Sequence, residues 1–270
     1  MTHTSYEFDR DTRVERLAPG RWGATLAPGW DIAGVPNGGY VMALAARVLA
    51  GELAHADPLT LTGHYVAPTQ EGPVEMRFDR AREGRSVSTG TVRLLQEGVE
   101  RARFSGSFGD LDRLDGPSLP APEWTPVPPV ESCAPSPNPN RFGERVELRL
   151  PPEQTGWMRG EEEARAEISG YARFADGRPP DALSLLLFAD AFPPAVFRRF
   201  GPVGWVPTLE LTVHVYARPS PGFLAGRFRA DQMHAGQLTE DGELRDSAGD
   251  VVALARQLAR VRLPRERRGA

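Results

Sequence analysis

Leu211-Thr212-Val213-His214-Val215-Tyr216-Ala217 repeats the pattern of Leu61-Thr62-Gly63-His64-Tyr65-Val66-Ala67 at an offset of 150 residues. The same offset carries Gly72 onto Gly222 and Arg77-Phe78 onto Arg227-Phe228, and a proline follows each strand, at Pro68 and Pro219, one position out of step. One offset linking three segments points to a duplicated unit rather than to chance. In Thr208-Leu209-Glu210-Leu211-Thr212-Val213-His214-Val215 the odd positions are all aliphatic. That is the period of a strand with one face on a core.

Outward from this strand, both halves have the same order of elements. An apolar segment (Gly38 to Ala54; Ala182 to Phe197) precedes strands expected at 59–66, 73–81, 86–95 and 99–108, matched by 207–216, 223–230, 233–245 and 251–262. Further strands are expected near 12–17, 21–28, 144–150 and 163–169, and Gln96-Glu97-Gly98 and Ser247-Ala248-Gly249-Asp250 read as hairpin turns. The first apolar segment has no charge from Gly38 to Ala46 and carries Ala43, Ala45, Ala46 and Ala50, so it is predicted to be a helix buried nearly all round. A central helix followed by an antiparallel meander is the hotdog pattern. The expected fold class is α+β, a double hotdog in which each unit wraps an antiparallel sheet around a central helix. Nine of the 26 prolines fall between Pro117 and Asn140, where they forbid a continuous helix or interior strand. The predicted units are therefore 1–112 and 141–270, joined by a Pro-rich linker at 113–140.

Composition narrows the function. A net charge of −4, dispersed along the chain, gives no basic face for nucleic acid, and Arg265 to Arg268 read as a solvated tail. One cysteine, Cys133, excludes an intramolecular disulfide framework and any multi-cysteine metal site. The polar stretch Met1 to Arg16 lacks a signal-peptide core, and no run of about 18 apolar residues could span a membrane. A reducing, cytoplasmic location with no membrane partner is expected. Neither Gly-x-Ser-x-Gly nor a P-loop signature is present.

Val35-Pro36-Asn37-Gly38-Gly39-Tyr40, Pro58-Leu59-Thr60-Leu61-Thr62 and Arg82-Glu83-Gly84-Arg85-Ser86-Val87-Ser88 resemble the N-terminal half of type II acyl-CoA thioesterases and their bacterial thioesterase-like relatives. Ala189-Asp190-Ala191-Phe192-Pro193-Pro194, Val206-Pro207-Thr208-Leu209-Glu210-Leu211-Thr212 and Ala255-Arg256-Gln257 resemble the C-terminal half. The resemblance covers roughly residues 15 to 112 and 141 to 264. It implies hydrolysis of an acyl-CoA without a covalent intermediate, by a water held between a helix carboxylate, a strand hydroxyl and a late-strand glutamine. Asp190, Thr208 and Gln257 match these three roles. It implies no cofactor beyond the CoA of the substrate. Self-association into a homo-oligomer stays open, since exposed hotdog faces often associate. Leu209 to His214 depart from the family's usual Asp-His-Ser strand, which leaves room for a non-catalytic acyl-CoA or acyl-chain binding protein on the same scaffold. Hydration or dehydration of a thioester ranks last, because Asn37-Gly38-Gly39 supplies no histidine.

The residues themselves weigh these roles. Asp190 is the only charge between Ala182 and Phe197. Burial would raise its pKa toward that of a general base, whereas Pro193-Pro194 would equally suit a helix-end aspartate facing solvent. Thr208 and Thr212 are expected on one strand face, and the choice between them stays open; both are also ordinary strand residues. Gln257 lies in an otherwise apolar strand. Asn37, Gly38 and Gly39 precede the first helix, where backbone N–H groups could meet a thioester oxyanion or could simply form a capped turn. A hotdog pair would bring them to face Asp190. Arg82 and Arg85 flank a turn glycine, as CoA-phosphate ligands or as solvated arginines. In the reciprocal site Tyr40 is expected opposite Asp190, and Gly106 opposite Gln257 after a one-residue gap. His64 and His214 have no carboxylate spacing for a metal, and none is expected.

Overall fold

The computed structural model describes residues 6–119, 123, 127–136 and 141–261. Part of the linker and the Arg265 to Arg268 tail lie outside the described residues.

The first half contains the short helix α1 (Glu7–Asp11), β1 (Glu15–Ala18), β2 (Arg21–Leu26), a two-stranded ribbon of β3 (Asp31–Ile32) and β4 (Val35–Pro36), helix α2 (Gly38–Glu52), and the meander β5 (Asp57–Tyr65), β6 (Gly72–Glu83), β7 (Ser88–Gln96) and β8 (Val99–Gly109). The second half has β9 (Ala134–Pro135), β10 (Val146–Leu150), β11 (Glu167–Phe174), the short helices α3 (Ser184–Phe188) and α4 (Val196–Phe200), and the meander β12 (Thr208–Val215), β13 (Leu224–His234), β14 (Gln237–Arg245) and β15 (Val251–Arg260).

Asn37 caps α2 by accepting the Tyr40 N–H at 2.9 Å, satisfying one of the helix's free donors. Ten of its 15 residues are buried, from Gly39 to Leu49, and it packs on β2 and on all four meander strands. The uncharged run is thus a helix roofed by a sheet. The second apolar segment does not form one helix. It breaks after Phe188 and resumes only at Val196, because Pro193-Pro194 can neither donate to nor continue an α-helical ladder. Asp190 sits in that break.

The two meanders join edge to edge. β5 pairs antiparallel with β12, so thirteen strands form one sheet in the order β1-β2-β6-β7-β8-β5-β12-β15-β14-β13-β11-β10-β9. Thr62 faces Thr212, with Thr60 opposite His214 and His64 opposite Glu210. Those are the repeat positions exchanged, so the seam is self-complementary in the way of a two-fold dimer interface. The Thr62 and Thr212 hydroxyl oxygens are 2.8 Å apart.

Three details depart from the sequence reading. The β13–β14 hairpin turns at Ala235-Gly236, both with positive φ (50° and 79°), so the strand expected at 233–245 is split. The end of the linker adds the edge strand β9, pairing Ala134 with Leu150 and Pro135 with Arg149. The N-terminal stretch forms α1, whose Phe8 is buried against Trp30 and Phe174.

Candidate active site

A cavity of about 330 Å³ opens where the start of α2 meets the break after α3. Its wall is mainly apolar, with Val41, Phe192, Phe197, Trp205 and Leu238 among the lining residues. The polar groups are Asn37, Tyr65, Thr69, Asp190, Thr208, Glu240 and Gln257, and among the described residues neither arginine nor histidine lines it.

Asp190 Oδ2 accepts from the Gly39 backbone N–H at 3.0 Å and from Asn37 Nδ2 at 2.9 Å; the same Nδ2 reaches the Asp190 carbonyl at 2.7 Å. A carboxylate of the second half is seated on the helix N-terminus of the first, where the dipole favours negative charge. Burial nevertheless dominates. It raises the Asp190 pKa to about 6 against the lowering by the N–H groups of Gly39 and Gly38 and by Asn37.

This placement alters the reading of Asn37-Gly38-Gly39. The Gly39 N–H and the Asn37 amide are directed at Asp190, and Gly39 is not part of the cavity wall. A Cβ on Gly39 would stand 2.5 Å from the Leu186 carbonyl oxygen, so glycine is needed for α2 to approach α3. Gly38 and Asn37 do line the cavity, and the Gly38 carbonyl accepts from the Tyr65 hydroxyl at 2.8 Å.

On the facing sheet the Thr208 hydroxyl donates to Gln257 Oε1 at 2.8 Å. Thr212 is elsewhere. A β-bulge between Thr208 and Glu210 inserts one residue against β15, pairing Thr208 with Ala259 and Glu210 with Leu258. A one-residue slip reverses side-chain parity, so Thr208 turns to the cavity face while Thr212 stays on the outer face with Glu210 and Thr62. The expectation that the two threonines share a face is therefore corrected. Arg82 and Arg85 stand exposed on the β6–β7 hairpin, outside the cavity wall.

The sequence reading missed Glu240 and Tyr65. Glu240, 4% exposed, lies directly opposite Gln257 on β14 and accepts from Gln257 Nε2 at 2.8 Å and from the Ala195 N–H at 2.6 Å. Burial is the largest influence on it and Asp190 adds repulsion, so its pKa rises to about 7. The strand alternates Leu238, Glu240, Gly242, Leu244 on one buried face, which is the signal that would have exposed it.

The reciprocal position in the first half is dismantled, on the strand with Gly106 opposite Gln257 as expected, and on the helix with a different residue from the one expected. Asn37 accepts the Tyr40 N–H and Asp181 accepts the Ser184 N–H, each from the residue three further on beside a helix start, and matching the two gives a helix offset of 144. Ala46, rather than Tyr40, then stands opposite Asp190. Gly106 pairs with Leu61 as Gln257 pairs with Leu211, and Gly90 faces Gly106 as Glu240 faces Gln257. The space is filled: Cβ atoms on Gly90 and Gly106 would each come within 2.6 Å of Phe78 and Leu61, respectively.

Comparison with known proteins identifies the family and the fold. The profile of the acyl-CoA thioesterase N-terminal domain matches residues 26–109, and that of the C-terminal domain matches residues 115–261. The crystal structure of a candidate thioesterase II from Thermobifida fusca is 32% identical, covers 96% of this chain and 98% of that one, and superposes with a TM-score of 0.89. A hot dog fold protein of unknown function from Alicyclobacillus acidocaldarius, 23% identical over 96% of this chain and 99% of its own, gives a TM-score of 0.86 and shares the fold. An uncharacterised protein of Mycobacterium tuberculosis is 27% identical over 261 residues, 86% of this chain and 88% of its own.

Proposed function

The chain belongs to the acyl-CoA thioesterase family, and from that premise we propose that it hydrolyses an acyl-CoA thioester to a free acid and CoA with a water activated by Asp190. The observation that carries the proposal is a carboxylate with a pKa of about 6 at the wall of an apolar cavity, beside a hydroxyl–amide pair. A general base working near neutrality needs such a value.

In the proposed reaction Asp190 takes a proton from water as the water oxygen attacks the thioester carbon. Thr208 and Gln257 hold the water. Collapse of the tetrahedral intermediate breaks the C–S bond, and the proton on Asp190 leaves with the CoA thiolate. As Asp190 is neutralised its hold on the Asn37 amide and the Gly38 N–H weakens, and these two cavity-lining groups at the start of α2 are offered to the developing oxyanion. The acyl chain lies among Val41, Phe192, Phe197 and Leu238, and CoA leaves past the exposed Val66 and Trp205. The units 1–112 and 141–270, joined by 113–140, are part of the same reading. So is a reducing cytoplasmic setting, which fits the buried free thiol of Cys133.

A thiol-release assay over a panel of acyl-CoAs tests this, with Asp190→Asn as the control. Release by the wild type and its collapse in the variant are expected. Calorimetric binding of acyl-CoA without any release would replace hydrolysis by binding alone.

A further inference from the structure

The hydrolytic outline leaves Glu240 without a task, although a buried carboxylate is costly to keep. Its two oxygens accept from the Ala195 N–H and from Gln257 Nε2, while Gln257 Oε1 accepts from the Thr208 hydroxyl. These bonds form one chain from Thr208 through Gln257 to Glu240. The charged and titratable groups around it are Asp190 from the turn after α3, Tyr65 of β5, and Asp241 next along β14, which turns away to pair with Arg256 of β15.

An amide has one donating end and one accepting end, so its neighbours set its direction. An ionised Glu240 can only accept. It draws Nε2 toward itself, leaves Oε1 facing Thr208, and so takes up the single Thr208 hydroxyl proton. Thr208 then offers lone pairs alone. A water between Asp190 and Thr208 can give one proton to each and keep a lone pair for the carbonyl carbon. With a neutral, donating Glu240 the amide can turn, Thr208 accepts from Nε2, and its proton points at the water, occupying one of the water's two lone pairs, drawing electron density from the attacking oxygen and removing the acceptor that orients it.

We propose that Glu240 is a positioning residue that acts through Gln257, fixing the direction of this chain so that Thr208 presents only an acceptor to the attacking water. The proposal rests on the hydrolytic reading above. Burial places Glu240 close to neutrality, so the direction of the chain changes within an accessible pH range.

The test compares wild type with Glu240→Gln from about pH 4.5 to 9, using a thiol reagent that reports in acid. If Asp190 and Glu240 must both be ionised, the logarithm of wild-type kcat/KM falls with a slope of two at acid pH. In Glu240→Gln the slope becomes one, kcat drops about 10- to 100-fold, and KM stays within about two-fold. A slope of one in the wild type, or a variant with unchanged kcat and pH profile, overturns the proposal. The side-chain amide of Gln257 gives a readout without turnover, by nitrogen-15 NMR. Its resonance should move with pH through neutrality in the wild type and stand still in the variant; pH-independence in both proteins also overturns the idea. Lack of thiol release by the wild type would instead remove the hydrolytic reading, with the amide resonance still reporting on the chain.

Discussion

Asp190 Oδ2 lies 3.0 Å from the backbone nitrogen of Gly39, a residue 151 positions earlier in the chain. The carboxylate and the donors that hold it come from opposite halves, so the site exists only when the halves are docked. Asp190→Asn keeps the shape and an acceptor oxygen for Gly39 while removing the proposed base. Turnover should fall about 10²–10⁴-fold, with circular dichroism and unfolding close to wild type. Retention of wild-type turnover would remove Asp190 from the chemistry.

Thr208 and Thr212 should separate cleanly. Thr208→Val removes the hydroxyl that bonds Gln257 and should lower kcat by on the order of 10-fold or more. Thr212→Val affects only the outer face, where its partners are Glu210 and Thr62, and should leave kcat within about two-fold while costing about 1 kcal/mol of stability. Steady-state kinetics beside denaturant unfolding checks both.

How far the sequence could be read differs between these residues. The repeat and the aliphatic alternation of β12 showed the duplicated meander, because a half-buried strand must alternate. Asp190 stood out because a lone charge in an apolar run demands a partner. The bulge before Glu210 left no trace, since one inserted residue changes parity without changing composition. Glu240 was concealed in Thr239-Glu240-Asp241-Gly242-Glu243, a run that reads as solvated until its period-two partners Leu238 and Leu244 are placed in the core. The break in the second apolar segment was legible as a proline pair, yet its consequence, Asp190 in the break facing α2, depends on contacts from the other half.

Glu240→Gln should make the protein more stable above neutrality. The folded-state pKa is raised from 4.5 to about 7, so the contribution of this group is fully present below about pH 4.5 and is lost as pH rises through about 7. Glutamine carries no charge to desolvate. At pH 8 the variant should gain on the order of 3 kcal/mol, and at pH 4 almost nothing. Urea unfolding at the two pH values measures the difference; equal gains at both would contradict it.

Gly39→Ala tests the close approach of the helices. Its Cβ would lie 2.5 Å from the Leu186 carbonyl oxygen and 2.9 Å from Leu187 Cα, both backbone atoms that cannot swing away. A loss of about 1–3 kcal/mol or more is expected, with Asp190 displaced from its donors. Thermal unfolding reports the loss, and a wild-type midpoint would show that α2 and α3 can part without penalty.

The self-complementary seam between β5 and β12 has a consequence for behaviour in dilute solution. A site that borrowed its base from one polypeptide and its helix start from another would dissociate as concentration fell. Here both belong to one polypeptide, and the covalent connection holds the second half at a high effective concentration relative to the first. Activity per chain should therefore stay constant down to concentrations at which a two-chain version of the same site would have come apart.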